Sequence, residues 1–319
     1  MPTIHLLTKN NSQTIQKTLE SVVGLNAKIL VGDMGSNDDT INICKQYGAQ
    51  VHSFNENRSK ARNSLLKYAD NGWQFWIEPW EILVYGQTTV QQIQKPSYVT
   101  ILQNKVINKE IRLWSGPINF VQPVYERVET DTELESNVVL YSAGRPISQD
   151  IFAAIDDWKN QEPMSPQPYY YQACLLLSEG KYNEFLEIAN HYLFLKPNQE
   201  MSTVMTRYYY ALVQLKHKKL ARPALQNINL CLCANPLMAE FWCLMGDVFY
   251  HLVKRFDQAK EFYENAIILG SKRLQADKWP MDITKYGEYP TKMIESCDKI
   301  ANTVSFYGTL PIGVPLSST

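Results

Sequence analysis

Two carboxylates, Glu78 and Glu81, close the aromatic run Trp73-Gln74-Phe75-Trp76-Ile77-Glu78-Pro79-Trp80-Glu81. A buried strand that delivers acids at its carboxyl end can floor an active site in an α/β domain. The same pattern also suits a buried strand whose following loop needs solubility. Asn10, Asp33 with Ser36, and the Asn55–Arg62 segment each follow another apolar stretch, so their chemistry can gather only if the elements between them bring the strand ends together.

Those elements are legible. Thr3–Thr8 reads as a buried strand, and Ser12 as the cap of a helix whose apolar residues Ile15, Leu19, Val22 and Val23 recur at helical spacing. Ala27–Val31 is a second strand. The polar loop from Gly32 to Thr40 then enters a helix carrying Ile41, Cys44 and Tyr47, with Asn37 or Asp38 as its cap. Gln50–Phe54, a helix over Ser59–Ala69 and the Trp73–Ile77 strand complete a β-α-β-α-β-α-β order. Such alternation implies a mainly parallel sheet with right-handed crossovers and ligands beyond the carboxyl ends of its strands. The sequence contains no GxGxxG and no GxxxxGK[ST], so neither a dinucleotide fingerprint nor a P-loop is supported.

Composition narrows the class. With 319 residues, 45% hydrophobic and 20% charged, the chain is an ordinary globular protein with room for about two domains. A net charge of −1 gives no general argument for nucleic acid. No apolar run approaches a membrane span, and the N-terminus lacks a secretory pattern. Cys44, Cys174, Cys231, Cys233, Cys243 and Cys297 form no CxxC framework; they read as buried reduced thiols in a cytoplasmic protein.

Lys9-Asn10-Asn11, the segment from Val31 to Thr40, and Ala61-Arg62-Asn63 before a Trp-initiated strand together resemble the family 2 glycosyltransferases of the GT-A fold. The resemblance covers roughly Thr3–Glu126. It implies an α/β GT-A (Rossmann-like, nucleotide-diphospho-sugar transferase) domain and a nucleotide-diphosphate sugar donor, with a UDP-sugar first. It places Thr8, Asn10, Asp33, Ser36, Arg62 and Glu78 on the donor side, Asp33 at the base or ribose and Arg62 at the nucleotide or its phosphates. A carboxylate can accept from a base N–H or a ribose hydroxyl, and a guanidinium can hold phosphate oxygens bidentately. The lesser alternatives are a turn or cap residue for Asp33 and an exposed helix charge for Arg62.

Two positions depart from the family pattern. In place of Leu-Asp-Ala-Asp-Glu stands Ile77-Glu78-Pro79-Trp80-Glu81, so an indole replaces the second acid. Downstream, Gln122-Pro123-Val124-Tyr125-Glu126 has Tyr125 where relatives carry a His. The indole cannot ligate Mg²⁺ or Mn²⁺, which want oxygen ligands, and Tyr125 replaces the imidazole, so no metal ligands are assigned and a divalent ion is disfavoured. Without a metal, Arg58, Lys60 and Arg62 are the candidates to stabilise a departing diphosphate. The resemblance implies an inverting reaction, which needs a carboxylate base; Glu126 and Glu81 are the candidates.

Tyr98–Lys105 and Glu110–Trp114 read as a hairpin turning at Asn108-Lys109, with further strands at Pro123–Val128 and Asn137–Tyr141. A linking helix over Ser148–Lys159 and the prolines 163, 166 and 168 mark a boundary. Beyond it, small and aromatic residues recur in three helical units, and Tyr208 to Trp242 spans 34 positions. This resembles the tetratricopeptide repeat. The expected division is 1–147 for the GT-A domain, 148–168 for the linker, 169–301 for an all-α repeat domain ending in a helix over Tyr289–Ala301, and 302–319 for a tail. The leading expectation is a glycosyltransferase acting on a protein, peptide or glycan acceptor, with the repeats positioning that acceptor, a protein partner or a second copy. The alternative is a domain that has lost turnover and binds nucleotide sugars or proteins as a scaffold.

Overall fold

The first strand, β1 (Thr3–Thr8), carries no Asp, Glu, Lys or Arg and is buried along its whole length. The computed structural model describes residues 2–90, 92, 95–123, 127–130, 133–145, 149–196, 200–273 and 277–307. From β1 the chain passes through α1 (Ile15–Val22) to β2 (Lys28–Asp33), through α2 (Thr40–Gln46) to β3 (Gln50–Ser53), and through α3 (Arg58–Leu66) to β4 (Trp73–Trp76). β1 pairs in parallel with β2 and β4, and β2 with β3. The four strands therefore end along one edge, as the alternating pattern requires.

Side-chain alternation divides the core between the two faces of the sheet. Ile4 and Leu6 of β1 pack with the α1 stripe of Ile15, Leu19 and Val22, whereas Leu7 joins Leu30, Ala61 and Leu65 under α3. β4 lies between β1 and β7 (Val106–Ser115), which makes the Trp73–Trp76 segment a central strand.

Further strands in this half are β5 (Glu81–Tyr85), β6 (Ser97–Gln103), β8 (Asn119–Val121), β9 (Arg127–Glu129) and β10 (Leu134–Ser142), with α4 (Gln87–Val90) between β5 and β6. The sheet order is β3-β2-β1-β4-β7-β6-β10-β5, and β8 and β9 form a separate ribbon. A parallel half joined to a half with antiparallel pairing gives the mixed, GT-A-like sheet.

Local details differ from the sequence reading. The β6–β7 hairpin turns at Asn104-Lys105, not at Asn108-Lys109; Asn104 takes the left-handed φ of 55° that asparagine tolerates. Asn108 and Lys109 instead pair with Ile101 and Thr100 inside the ladder. α1 begins at Ile15 rather than after Ser12; residues 12–14 form a turn in which Asn11 O accepts from Thr14 N and Ile15 N. All six cysteines are free thiols; four are buried, but Cys174 is half-buried and Cys233 exposed.

The chain forms two compact units, Met1–Lys181 with Lys278–Met281, and Tyr182–Asp277 with Asp282–Thr319. α5 (Gln149–Gln161) and α6 (Pro166–Ser178) belong to the first unit. The second contains α7 (Tyr182–Leu195), α8 (Met201–Val213), α9 (Ala221–Ala234), α10 (Ala239–Val248), α11 (Phe256–Gly270) and α12 (Glu288–Tyr307). α12 continues past Ala301, so residues 302–307 are helical backbone rather than tail, and 308–319 lie outside the described residues.

α8 and α10 each widen into a π turn, Gln214–Lys218 and Phe249–Val253, closed by left-handed Lys219 and Lys254. These turns start 35 positions apart, as do the buried pairs Ala224 and Ala259, Ile228 and Tyr263, and Cys231 and Ala266. The structural period here is thus one residue longer than the Tyr208–Trp242 interval, and the wide turn accommodates the extra residue.

Gly246 of α10 has no room for a side chain: a Cβ there would meet the Tyr263 ring at 2.6, 2.8 and 2.9 Å. That ring is fully buried and its hydroxyl donates to Asp247 Oδ1 at 2.8 Å, so it cannot swing away cheaply. Gly246→Ala should therefore destabilise the protein by about 1–3 kcal/mol through overpacking. Urea unfolding checks this, and wild-type stability in the variant would show that the ring has space to move.

Candidate functional site

The loops after β1 and β2 are stitched together by the polar residues that the sequence places at the strand ends. Thr8 Oγ1 donates to Asn11 Oδ1 at 2.9 Å, and Lys9 N donates to the same oxygen at 3.1 Å. Asn10, with φ of 54°, donates its backbone N–H to Ser36 Oγ at 3.0 Å and accepts from Asn37 N at 2.8 Å. The Asp33 carboxylate accepts from Ser36 N at 3.0 Å and Gly35 N at 3.3 Å. Thr8, Asn10, Asp33 and Ser36 are thus brought together, but Asp33 is buried and turned onto its own loop.

The two acids that end the β4 segment are also turned inward. Glu78 accepts from Arg62 Nη2 at 2.5 Å, from Arg58 Nη2 at 3.2 Å through both oxygens, and from Trp76 Nε1 at 2.9 Å. Glu81 accepts from Glu78 N at 2.8 Å and from Arg112 Nη2 at 3.0 Å, and Arg112 also pairs with Glu110 at 2.9 Å. Two guanidinium carbons rest against the Trp76 ring, Arg62 at 3.8 Å and Arg112 at 4.0 Å from its centroid. Exposure is 2% for Arg62, 5% for Glu78 and 2% for Glu81. Carboxylates at such depth are tolerable only when paired and hydrogen-bonded, and removing one partner of a buried pair costs about 3–5 kcal/mol.

Beyond this cluster, the first unit opens a cavity of about 440 Å³ lined by Lys9, Asn10, Phe54, Glu56, Arg58, Trp80 and Arg145, among others. Arg145 Cζ lies 6.0 Å from the Trp80 ring centroid. Lys9 is ion-paired with Asp150, which also borders the cavity. Cations, two carboxylates and two aromatic faces in one recess can hold a flat ring and an anionic group together.

Asn10 reaches this lining, whereas Thr8, Asp33, Ser36, Arg62, Glu78 and Glu81 are not among its residues. Two expectations need correction on this geometry. Arg62 is neither an exposed helix charge nor a group facing the cavity, because it is enclosed between Glu78 and Trp76. Glu81 does not face an acceptor, because its two oxygens are occupied by Arg112 and the Glu78 N–H. Glu126 and Tyr125 lie outside the described residues. The cavity residues that the sequence reading missed are Phe54, Glu56, Arg145 and Asp150. The Asn55–Arg62 segment carried a signal for Glu56; Arg145 follows β10 in a turn that carries no motif.

The residues at the position of the family's acidic motif do not fit a divalent ion. Glu78 spends its oxygens on two arginines and an indole, and Trp80 supplies no oxygen ligand. Among the described residues, no group of three His, Cys, Asp or Glu side chains is placed to hold a metal.

Burial pushes the Glu81 carboxyl up to about 7, with Arg112 opposing the rise and Glu78 and Glu110 adding to it. The folded state therefore holds this proton more tightly than the unfolded chain. Stability from this group is present below its ordinary value of 4.5 and is lost as pH rises through about 7. A change of this size is on the order of 3 kcal/mol. Thermal melts should show the Tm of wild type relative to Glu81→Gln highest near pH 4.5 and falling by pH 7.5. A difference that does not change with pH would contradict this assignment.

Residues 3–155 match the family described as Glycosyl transferase family 2. No curated protein matches the chain. Among solved structures, MamA 41-end from Desulfovibrio magneticus RS-1 shares 19% identity over 50% of this chain and 84% of its own, with a TM-score of 0.37. The Sgt2 TPR domain from Aspergillus fumigatus shares 12% over 48% of this chain and 90% of its own, with a TM-score of 0.36. The first TPR domain of human RPAP3 shares 13% over 45% of this chain and 98% of its own, with a TM-score of 0.35. Among the described residues, no helix is long and apolar enough to cross a membrane. The match to the family 2 glycosyltransferases thus falls on residues 3–155, the stretch that holds the mixed, GT-A-like sheet.

Proposed function

We propose that this protein transfers a sugar from a nucleotide-diphosphate sugar, a UDP-sugar first, to a hydroxyl of a protein, peptide or glycan acceptor. The observation that carries this reading is the cavity beside the ends of the parallel strands, in a domain whose family supports glycosyl transfer. Phe54 and Trp80 offer flat faces to a base or a sugar ring. Lys9, Arg58 and Arg145 offer charge to phosphate oxygens.

An inverting transfer needs a carboxylate to take the acceptor proton. Glu81 is held elsewhere and Asp150 is paired with Lys9, so Glu56 is the cavity carboxylate best placed for this role. Glu126 remains the base implied by the family pattern. The helical repeats would position the acceptor, or bind a protein partner or a second copy.

The commitment of Glu78 and Glu81 to internal ion pairs favours a second reading, a domain that binds nucleotide sugars without turnover. One experiment separates the two. Thermal melts with UDP-, GDP- and dTDP-sugars should show a rise of about 5 °C with at least one donor at a hundred times its Kd. The same donor should release free nucleoside diphosphate when acceptor is supplied. A shift without release supports the binding protein; no shift with any donor removes the donor-site assignment.

A further inference from the structure

Ligation of a divalent ion by Glu78 would require that carboxylate to leave Arg58, Arg62 and Trp76. Arg62 is 2% exposed and its guanidinium lies against the Trp76 ring, so it could not follow the carboxylate into water. Exchanging one buried ion pair for another would therefore leave a buried guanidinium without its main counter-charge, which is strongly unfavourable. The next acid offers no substitute, since Glu81 is fixed by Arg112 and the Glu78 N–H.

Arg58 connects this buried cluster to the cavity. Its Nη2 contacts Glu78, its side chain is 15% exposed, and the residue lines the recess. A guanidinium presents its N–H donors in a rigid fork, and both Glu78 oxygens engage the Nη2 end of this one. Glu78 is thus placed to hold Arg58 in one orientation at the cavity wall. Trp80 stands where a second acidic ligand would be, and the Arg145 guanidinium lies toward its ring. Both changes act in one direction: acids are neutralised or replaced, and cations face the recess.

We propose that the domain binds a diphosphate without a divalent ion, with Arg58 and Arg145 supplying the charge of the metal and Glu78 acting as the buried counter-ion that positions Arg58. This rests on the donor-site reading given above and specifies how its anionic part is held. Glu78 is accordingly a positioning residue.

Calorimetric titration of the full chain with UDP and with inorganic pyrophosphate, each in EDTA and in Mn²⁺, tests the proposal. Both probes should bind in EDTA, with a Kd for UDP within about twofold of that in Mn²⁺. Arg145→Ala should weaken both by at least about tenfold, the loss of a charge-assisted hydrogen bond. Arg58→Ala uncovers Glu78 and risks the fold, so Arg145→Ala carries the test. Trp80→Asp should create no Mn²⁺ dependence, because Glu78 remains engaged by its arginines. UDP binding seen only with Mn²⁺, wild-type affinity in Arg145→Ala, or a Mn²⁺ requirement in Trp80→Asp would each overturn the proposal while leaving the donor reading intact. Absence of binding in both conditions would overturn the two together.

Discussion

The Glu78 carboxylate, shared among Arg58, Arg62 and Trp76, is the interaction on which the N-terminal domain depends. It sits just past the end of a central strand, so its burial follows from the sheet order rather than from local sequence. Once an acid is placed there, the low-dielectric surroundings demand cations, and three arginines from α3 and β7 provide them. The cluster ties α3 to the sheet, fixes the Trp76 indole between β4 and the Phe120 ring of β8, and sets one wall of the cavity through Arg58. Structure and site are therefore coupled: the charge at the strand end also holds a cation at the cavity wall.

Much of this was legible in the sequence. The alternation of apolar strands and amphipathic helices from Thr3 to Ile77 gave the parallel half of the sheet, because burial on both faces leaves a strong apolar signal. The convergence of Asn10, Asp33 and Ser36 followed from the same topology. The direction in which Arg62, Glu78 and Glu81 point did not. Arg62 and Glu78 are sixteen positions apart, and only the crossover through α3 makes them neighbours. Arg112 reaches Glu81 from β7, a partner whose register depends on a hairpin turn that the sequence pattern placed four residues late. Arg145 had no motif or period to mark it.

The helical unit shows a similar limit. Its small and aromatic residues announced packed helix pairs, yet the interval read from Tyr208 to Trp242 concealed a 35-residue structural register. A π turn changes hydrogen bonding while leaving the helical apolar stripe recognisable, so periodicity alone does not disclose it. The buried Tyr263 hydroxyl and the half-buried Tyr289 hydroxyl, which converge on Asp247, are likewise invisible to pattern reading, because they come from different helices.

Whether Glu78 is a counter-ion or a metal ligand decides how the anionic part of a donor would be held. Anomalous diffraction from crystals grown with UDP and Mn²⁺ addresses this directly. A counter-ion role predicts no manganese peak within about 2.2 Å of a Glu78 oxygen, with Arg58 still on Glu78 and Arg145 on the diphosphate. A manganese ion bonded to Glu78, with Arg58 displaced, would contradict it.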